Sequence, residues 1–314
     1  MKKRALGRSG IEIAPLVFGG NVFGWTVDES RAPGLLDRFV DGGLNAIDTA
    51  DVYSRWAPGN RGGESETLIG KWLKRSPSRR SKVVVITKVG SDMPGRGKGL
   101  SRAHIVASVD DSLRRLQTDY IDVYLAHRPD AGTPIEETLR AFDELRKTGK
   151  VRAIGGSNYE AAGLAEALAV AAQKGLPRYE VMQPEYNLYD RDSYDGPLRE
   201  LCMKEGLGVI TYYSLASGFL SGKYRSKADL GKSARGEGIA EYLDERGERI
   251  LRALDTVAKR RGAKPAEVAI AWLIARPGVT APIASATSVE QVDSLIRATE
   301  LPLDAEDLRL LEEL

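Results

Sequence analysis

Four side chains able to move or steer a proton stand at the ends of short apolar runs in this chain. Asp48 follows Ala46 and Ile47 in GLNAIDTADVYS (43–54), and Tyr53 comes five residues later. Lys88 closes the run from Val83 to Thr87, and His127 closes the run from Ile121 to Ala126. A free phenol has a pKa of about 10 and is a poor acid at neutral pH. A neighbouring ammonium stabilises the phenolate and lowers that value, and a carboxylate can hold the lysine. The set therefore reads as Tyr53 the proton donor or acceptor, Lys88 its tuner, Asp48 the anchor, and His127 a hydrogen-bonding group for a substrate oxygen. Such chemistry suits carbonyl reduction, in which a proton reaches oxygen as hydride reaches carbon. No protein group here carries hydride, so a cofactor has to supply it.

Residue types alone do not bring these groups together; the elements between them must. Apolar, β-branched runs at 15–20, 45–50, 82–89, 121–127, 151–158, 180–187, 208–214 and 279–286 read as eight strands. Helical patterns at 30–41, 64–75, 102–116, 134–147, 160–174, 197–205, 245–261, 265–275 and 288–299 separate or follow them. Strict alternation predicts parallel strands joined by crossovers, and eight units in this length predict a single (β/α)₈ TIM barrel spanning 1–314. A doubly wound sheet is the alternative, but LVFGGNVFG lacks the GxGxxG spacing that fold uses after its first strand. Residues 4–14 read as a β-hairpin closing the bottom of the barrel, and 304–314 as an extra C-terminal helix. The polar strand ends then meet on one rim, beside two long loops at 51–63 and 215–238.

Composition narrows the function classes. The chain has 314 residues, 42% hydrophobic and 29% charged, with a net charge of +2, so overall charge advertises neither nucleic acid nor membrane as a partner. The N-terminus is basic without a following apolar segment, and no run is long enough to span a bilayer, which together with a single cysteine leads us to expect a cytoplasmic protein. Cys202 sits at helical spacing with Leu198 and Leu201 and reads as core. One cysteine and two distant histidines argue against a metal cluster.

GLNAIDTADVYS, VVVITKVG, VYLAHRPD, IGGSNY, MQPEYNLYDR and GVITYYSLASGFLSGKY together, in this order over nearly the whole chain, resemble the aldo-keto reductase superfamily. The resemblance implies a barrel that binds a nicotinamide cofactor, with Asp48, Tyr53, Lys88 and His127 as its catalytic tetrad. It places Ser157, Asn158 and Gln183 on the carboxamide, Tyr212 against the nicotinamide ring, and Gly20 and Asn21 among the cofactor contacts. The loop carrying Leu215, Ser217, Gly218, Leu220, Gly222 and Lys223 matches the family's pyrophosphate belt. The basic run beyond it to Arg235 reads as a solvated, mobile loop, and Ser157-Asn158 reads alternatively as a helix cap.

The match departs from the family pattern in IASATSVEQVDSL (283–295), the adenosine and 2′-phosphate segment. Ser285, Thr287 and Gln291 stand where basic residues are common, and Leu295 replaces an asparagine. NADP(H) is still favoured over NAD(H), with Lys223, Arg225 or Lys227 as substitute charges. Trp25, Trp56, Tyr186 and Tyr213 are candidate walls for a small carbonyl or alcohol substrate. Two other readings are a nicotinamide-binding regulatory subunit resembling channel β-subunits, against which the lack of a long N-terminal extension counts, and a barrel lyase or hydrolase that needs no nicotinamide. Neither the substrate nor the oligomeric state is legible in the chain.

Overall fold

The computed structural model describes residues 2–313, without the side chains of Pro77 and Glu237. A short antiparallel pair, β1 (Arg4–Ala5) and β2 (Glu12–Ile13), precedes the barrel strands. These are β3 (Val17–Gly19), β4 (Ala46–Asp48), β5 (Val84–Val89), β6 (Ile121–Ala126), β7 (Val151–Ser157), β8 (Val181–Gln183), β9 (Gly208–Thr211) and β10 (Ala281–Ala284). Each pairs in parallel with the next, and β10 pairs with both β9 and β3, so the sheet closes. Closure excludes the doubly wound alternative. All eight expected strands are present, each shorter than its apolar run, and their Val- and Ile-rich sequences suit strands covered on both faces.

Helices α1 (Ala32–Asp41), α2 (Glu64–Lys74), α4 (Arg102–Leu116), α5 (Ile135–Lys147), α6 (Ala161–Lys174), α7 (Pro197–Glu205), α8 (Glu245–Arg261), α9 (Pro265–Ala275) and α10 (Val289–Ala298) fall where helical periodicity predicts them. The single turn α3 (Pro77–Arg80) is an addition that its Pro- and Arg-rich sequence does not announce. The last helix, α11 (Ala305–Glu312), is shorter than 304–314, and Leu314 lies outside the described residues. Ser101, Asp244, Ser288 and Asp304 cap the starts of α4, α8, α10 and α11 by accepting a backbone N–H.

One periodicity positions the site. Val17, Ala46, Val84, Ile86, Val123, Leu125, Ala153, Val181, Ile210, Ala281 and Ile283 pack together inside the barrel with Leu6, Ile11 and Ile13 of the hairpin. Successive strand side chains alternate faces. Continuing the inward sets of six strands by two residues reaches Asp48, Lys88, His127, Gln183, Tyr212 and Ser285. The barrel's apolar filling and the candidate site are thus one layered stack, plugged at the bottom by the hairpin as expected. Gly7 makes that plug fit: its φ is +62°, and a Cβ there would lie 2.4 Å from the Glu180 carbonyl oxygen and 2.7 Å from the Gly208 nitrogen. Both long loops lie at the opposite, carboxyl end.

The basic run on to Arg235 is largely exposed, as expected of its composition, but it is pinned at several points. Tyr224 is fully buried and hydrogen-bonds Ser233 at 2.6 Å, and Arg225 makes two 2.8 Å bonds to Asp255 on α8. These anchors are irregularly spaced, so no helical or strand period reveals them.

Candidate active site

The buried heart of the site is the Lys88 ammonium, whose side chain is fully shielded from solvent. Its Nζ donates to Asp48 Oδ1 and Oδ2 (2.9 and 2.8 Å), to the Thr49 carbonyl (2.8 Å) and to the Tyr53 phenol oxygen (2.9 Å). Register explains the meeting: Asp48 pairs with Ile86 on the next strand, one inward step below Lys88. Tyr53 returns to the rim because the chain turns tightly after β4, with its N–H bonded to the Ala50 carbonyl and Ser54 at φ 73°. Gln183 Nε2 donates to Asp48 Oδ1 at 2.8 Å, tying the carboxylate to the far side of the barrel. The Tyr53 and His127 ring centroids are 6.1 Å apart.

The electrostatics correct one expectation. Burial, reinforced by the Asp48 charge, raises the Tyr53 pKa well above that of a free phenol, where the lysine alone would lower it. Burial lowers Lys88, with Asp48 opposing it. Tyr53 is therefore held as a neutral phenol, suited to donating a proton. Burial, aided by Lys88 and Arg128, pushes His127 down to about 3, so its ring is neutral at physiological pH.

Behind this set lies a second buried acid that sequence reasoning passed over. Among the described residues neither carboxyl oxygen of Asp51 has a hydrogen-bond partner, and the residue is 2% exposed. Burial and then the nearby Glu66 raise its pKa well above the usual range, while Arg115 is engaged with Glu66 at 2.6 Å. A carboxyl raised in the folded state contributes stability that is complete below its unfolded pKa and lost as pH climbs toward the folded value. Asp51→Asn is therefore expected to raise the melting temperature by a few degrees at pH 7 and by nothing at pH 4, measured by calorimetry at both pH values.

A cleft of about 870 Å³ runs from this tetrad across the carboxyl face. At one end Ser157 Oγ donates to the Gln183 carbonyl, and Asn158 Nδ2 donates to the His127 carbonyl and to Ser157 Oγ. The Tyr212 hydroxyl donates to Asn158 Oδ1 at 2.7 Å, fixing the phenol ring along the cleft wall. Helix α6 is preceded by Glu160 without a side-chain cap, so Ser157 and Asn158 serve the cleft and not a helix start. Six described non-glycine residues have positive φ, and five of them (Ser54, Asn158, Tyr213, Ala216 and Ser217) border this face. Strained backbone of this kind collects at functional sites.

The other expected contacts divide. Asn21, Leu215, Ser217, Gly218, Lys223, Ser285, Thr287 and Gln291 line the cleft, with Ser285 Oγ donating to Asn21 Oδ1 at 2.6 Å. Gly20, Leu220 and Gly222 do not line it. Gly20 packs below the rim, where a Cβ would sit 2.8 Å from the Asp48 carbonyl oxygen. Leu220 is fully buried, and its N–H, like that of Gly218, is bonded to the Leu215 carbonyl; the Gly222 N–H bonds Phe219. Of the substitute cations, Lys223 lines the cleft, whereas Arg225 is spent on Asp255 and Lys227 points to solvent.

Trp56 (49% exposed) and Tyr213 (47% exposed) wall the open end, with Trp25 packed edge-on behind Trp56. Tyr186 is no wall: it is fully buried against Tyr194 and Trp272, with its hydroxyl on Asp195. Four residues were missed. Ser91 and Arg128 flank His127 in the cleft lining. Arg235, at the end of the basic run, lines the cleft over the Trp25 ring at 5.3 Å. Arg31, beside the start of α1, donates to the carbonyls of Thr26 and Thr287.

Comparison with known proteins accords with this architecture. Residues 15–314 match the model of the aldo/keto reductase family. The chain belongs to the aldo/keto reductase family. Its relatives include an uncharacterized oxidoreductase, YrpG, of Bacillus subtilis (strain 168), 36% identical over 100% of this chain and 96% of that protein. A probable voltage-gated potassium channel subunit beta of Oryza sativa subsp. japonica is 36% identical over 96% and 92%. Aldo-keto reductase AMT2 of Alternaria alternata is 33% identical over 99% and 90%. Aldo/keto reductases are oxidoreductases that act on small carbonyl compounds and use NAD(P)H. No described helix is long and apolar enough to cross a membrane.

Proposed function

We propose that this aldo/keto reductase transfers hydride between NADP(H), in preference to NAD(H), and an aldehyde, ketone or sugar and its alcohol, with Tyr53 as the general acid and base. The observation that carries the reading is a single ammonium bonded at once to the Asp48 carboxylate and to the phenol oxygen of Tyr53, at the end of a cleft.

The residues present fit a nicotinamide cofactor. Ser157, Asn158 and Gln183 offer a hydroxyl and two side-chain amides for a carboxamide, and Tyr212 offers an aromatic face beside them. Lys223 lines the cleft and would offer a cation to the pyrophosphate, whereas Arg235 lines it beside Trp25. Arg31 brings a guanidinium to Thr287, in a segment with no cation of its own, which supports the NADP(H) preference. When bound, the nicotinamide supplies or accepts the hydride.

The chain's own groups manage the proton. The Tyr53 oxygen accepts a hydrogen bond from Lys88, and its own O–H, held only by a long 3.4 Å bond to Asp48 Oδ2, turns to a substrate oxygen in the cleft. Proton donation leaves a phenolate beside an ammonium that Asp48 and the Thr49 carbonyl hold in place. His127 lies beside the same reacting oxygen and steadies it. Trp56 and Tyr213 supply the surface on which a flat or apolar substituent stacks. We place the protein in the cytoplasm with this function.

Titrating the protein with NADPH and NADH by fluorescence, then screening carbonyl compounds for loss of reduced-cofactor absorbance, tests the proposal. Tighter NADPH binding with saturable turnover is expected, and equal affinities would remove the stated preference. A regulatory nicotinamide-binding subunit is the second reading, favoured by the relative described as a channel subunit beta. Binding without turnover on any carbonyl would select it, and no nicotinamide binding would reject both.

A further inference from the structure

Ser91, in the loop just after β5, belongs to none of the motifs discussed above. Its Oγ lies 2.9 Å from His127 Nδ1. Among the described residues that nitrogen is the only hydrogen-bond partner of the hydroxyl, and Nε2 on the other edge of the ring has none. The His127 backbone is fixed independently, its N–H on the Val89 carbonyl and its carbonyl accepting from Asn158 Nδ2. Ser91's neighbour Asp92 is tied by its carboxylate to Arg55 at 3.1 Å, which links this loop to the one carrying Tyr53 and Trp56.

A neutral imidazole carries one ring proton, and the nitrogen that holds it is set by the partner of the other. If Nδ1–H donated to Ser91, the hydroxyl hydrogen would be left without a protein acceptor. Nε2 would then face the cleft as a bare lone pair, repelling the lone pairs of a carbonyl oxygen. If Ser91 O–H donates to Nδ1, both groups are satisfied and Nε2–H is the edge left for a ligand.

We propose that Ser91 is a positioning residue that fixes His127 as the Nε2–H tautomer, making its imidazole a donor toward the substrate's oxygen. The tautomer stands independently of the proposed function; only the identity of the oxygen it meets rests on that reading.

The chain has two histidines, so long-range ¹H–¹⁵N spectra of ¹⁵N-labelled protein at pH 7 resolve each ring. His127 is expected to show a protonated Nε2 and an accepting Nδ1 in the wild type and in Ser91→Thr. Ser91→Ala is expected to give a mixed or Nδ1–H pattern, with the His104 signals unchanged as evidence of an intact fold. In the same variant kcat/KM falls roughly ten- to a hundredfold with unchanged NADPH affinity, and Ser91→Thr recovers most of it. An Nδ1–H or mixed pattern for His127 in the wild type, readable even if Ser91→Ala fails to fold, overturns the proposal. So does a His127 pattern that Ser91→Ala leaves untouched. An Nε2–H tautomer in a protein that reduces no carbonyl would count against the proposed function and leave this inference standing.

Discussion

Lys88→Met loses both turnover and stability. The ammonium is the common donor to Asp48, Thr49 and Tyr53, and methionine replaces its volume without any of its N–H groups. Asp48, 1% exposed, then keeps Gln183 as a donor but lies buried without a counter-charge. Removing one partner of a buried ion pair costs about 3–5 kcal/mol, because the remaining charge stays desolvated. Chemical denaturation should register a loss of that order, and the double variant Lys88→Met with Asp48→Asn should regain part of it by removing the stranded charge. Turnover is expected to fall by at least about a thousandfold in both, because nothing is left beside Tyr53 to stabilise a phenolate. A Lys88→Met protein as stable as the wild type would show that the pair is not buried as described.

Tyr53→Phe separates chemistry from architecture. Only the phenol oxygen is lost, and Lys88 retains both Asp48 oxygens and the Thr49 carbonyl. Stability should change by about 1 kcal/mol or less, and nicotinamide affinity should be unchanged, because Ser157, Asn158, Gln183 and Tyr212 are untouched. The kcat/KM for reduction is expected to fall by about 10²–10⁴, the usual worth of a positioned general acid. The raised Tyr53 pKa also sets the sign of the wild-type pH profiles. Reduction needs the protonated phenol and stays level through neutral pH into the alkaline range. Alcohol oxidation needs the phenolate and rises with pH over the same range. Steady-state rates in both directions between pH 6 and about 10 check this.

Much of this was legible before any coordinates, for a definite reason. Asp48, Lys88 and His127 end apolar runs of period two, so the alternation that fills the barrel with Ala46, Ile86 and Leu125 delivers them to the same rim. Tyr53 lies in a loop with no period, and it was picked out by its phenol and its place five residues beyond Asp48. The direction of its pKa was misjudged because spacing reveals a neighbouring lysine but not the depth of burial. Tyr186 was misplaced because its ring alone does not say which way it faces: pairing runs on past Gln183 through Glu185, which lines the cleft, and Tyr186 on the opposite face packs against Trp272. Arg31 and Arg235 were missed for a related reason. Arg235 lines the cleft and Arg31 reaches the Thr287 carbonyl at its edge, each from a segment whose composition reads as solvated.

The most direct test of the central claim follows the hydride. Wild-type protein is given NADPH carrying deuterium at the transferable position together with a carbonyl compound that it turns over, and the alcohol is analysed by mass spectrometry. Our account predicts one deuterium on the carbinol carbon in the wild type and product formation at least about a hundredfold slower in Tyr53→Phe at equal cofactor occupancy. A product without deuterium, or a Tyr53→Phe enzyme as fast as the wild type, would contradict it.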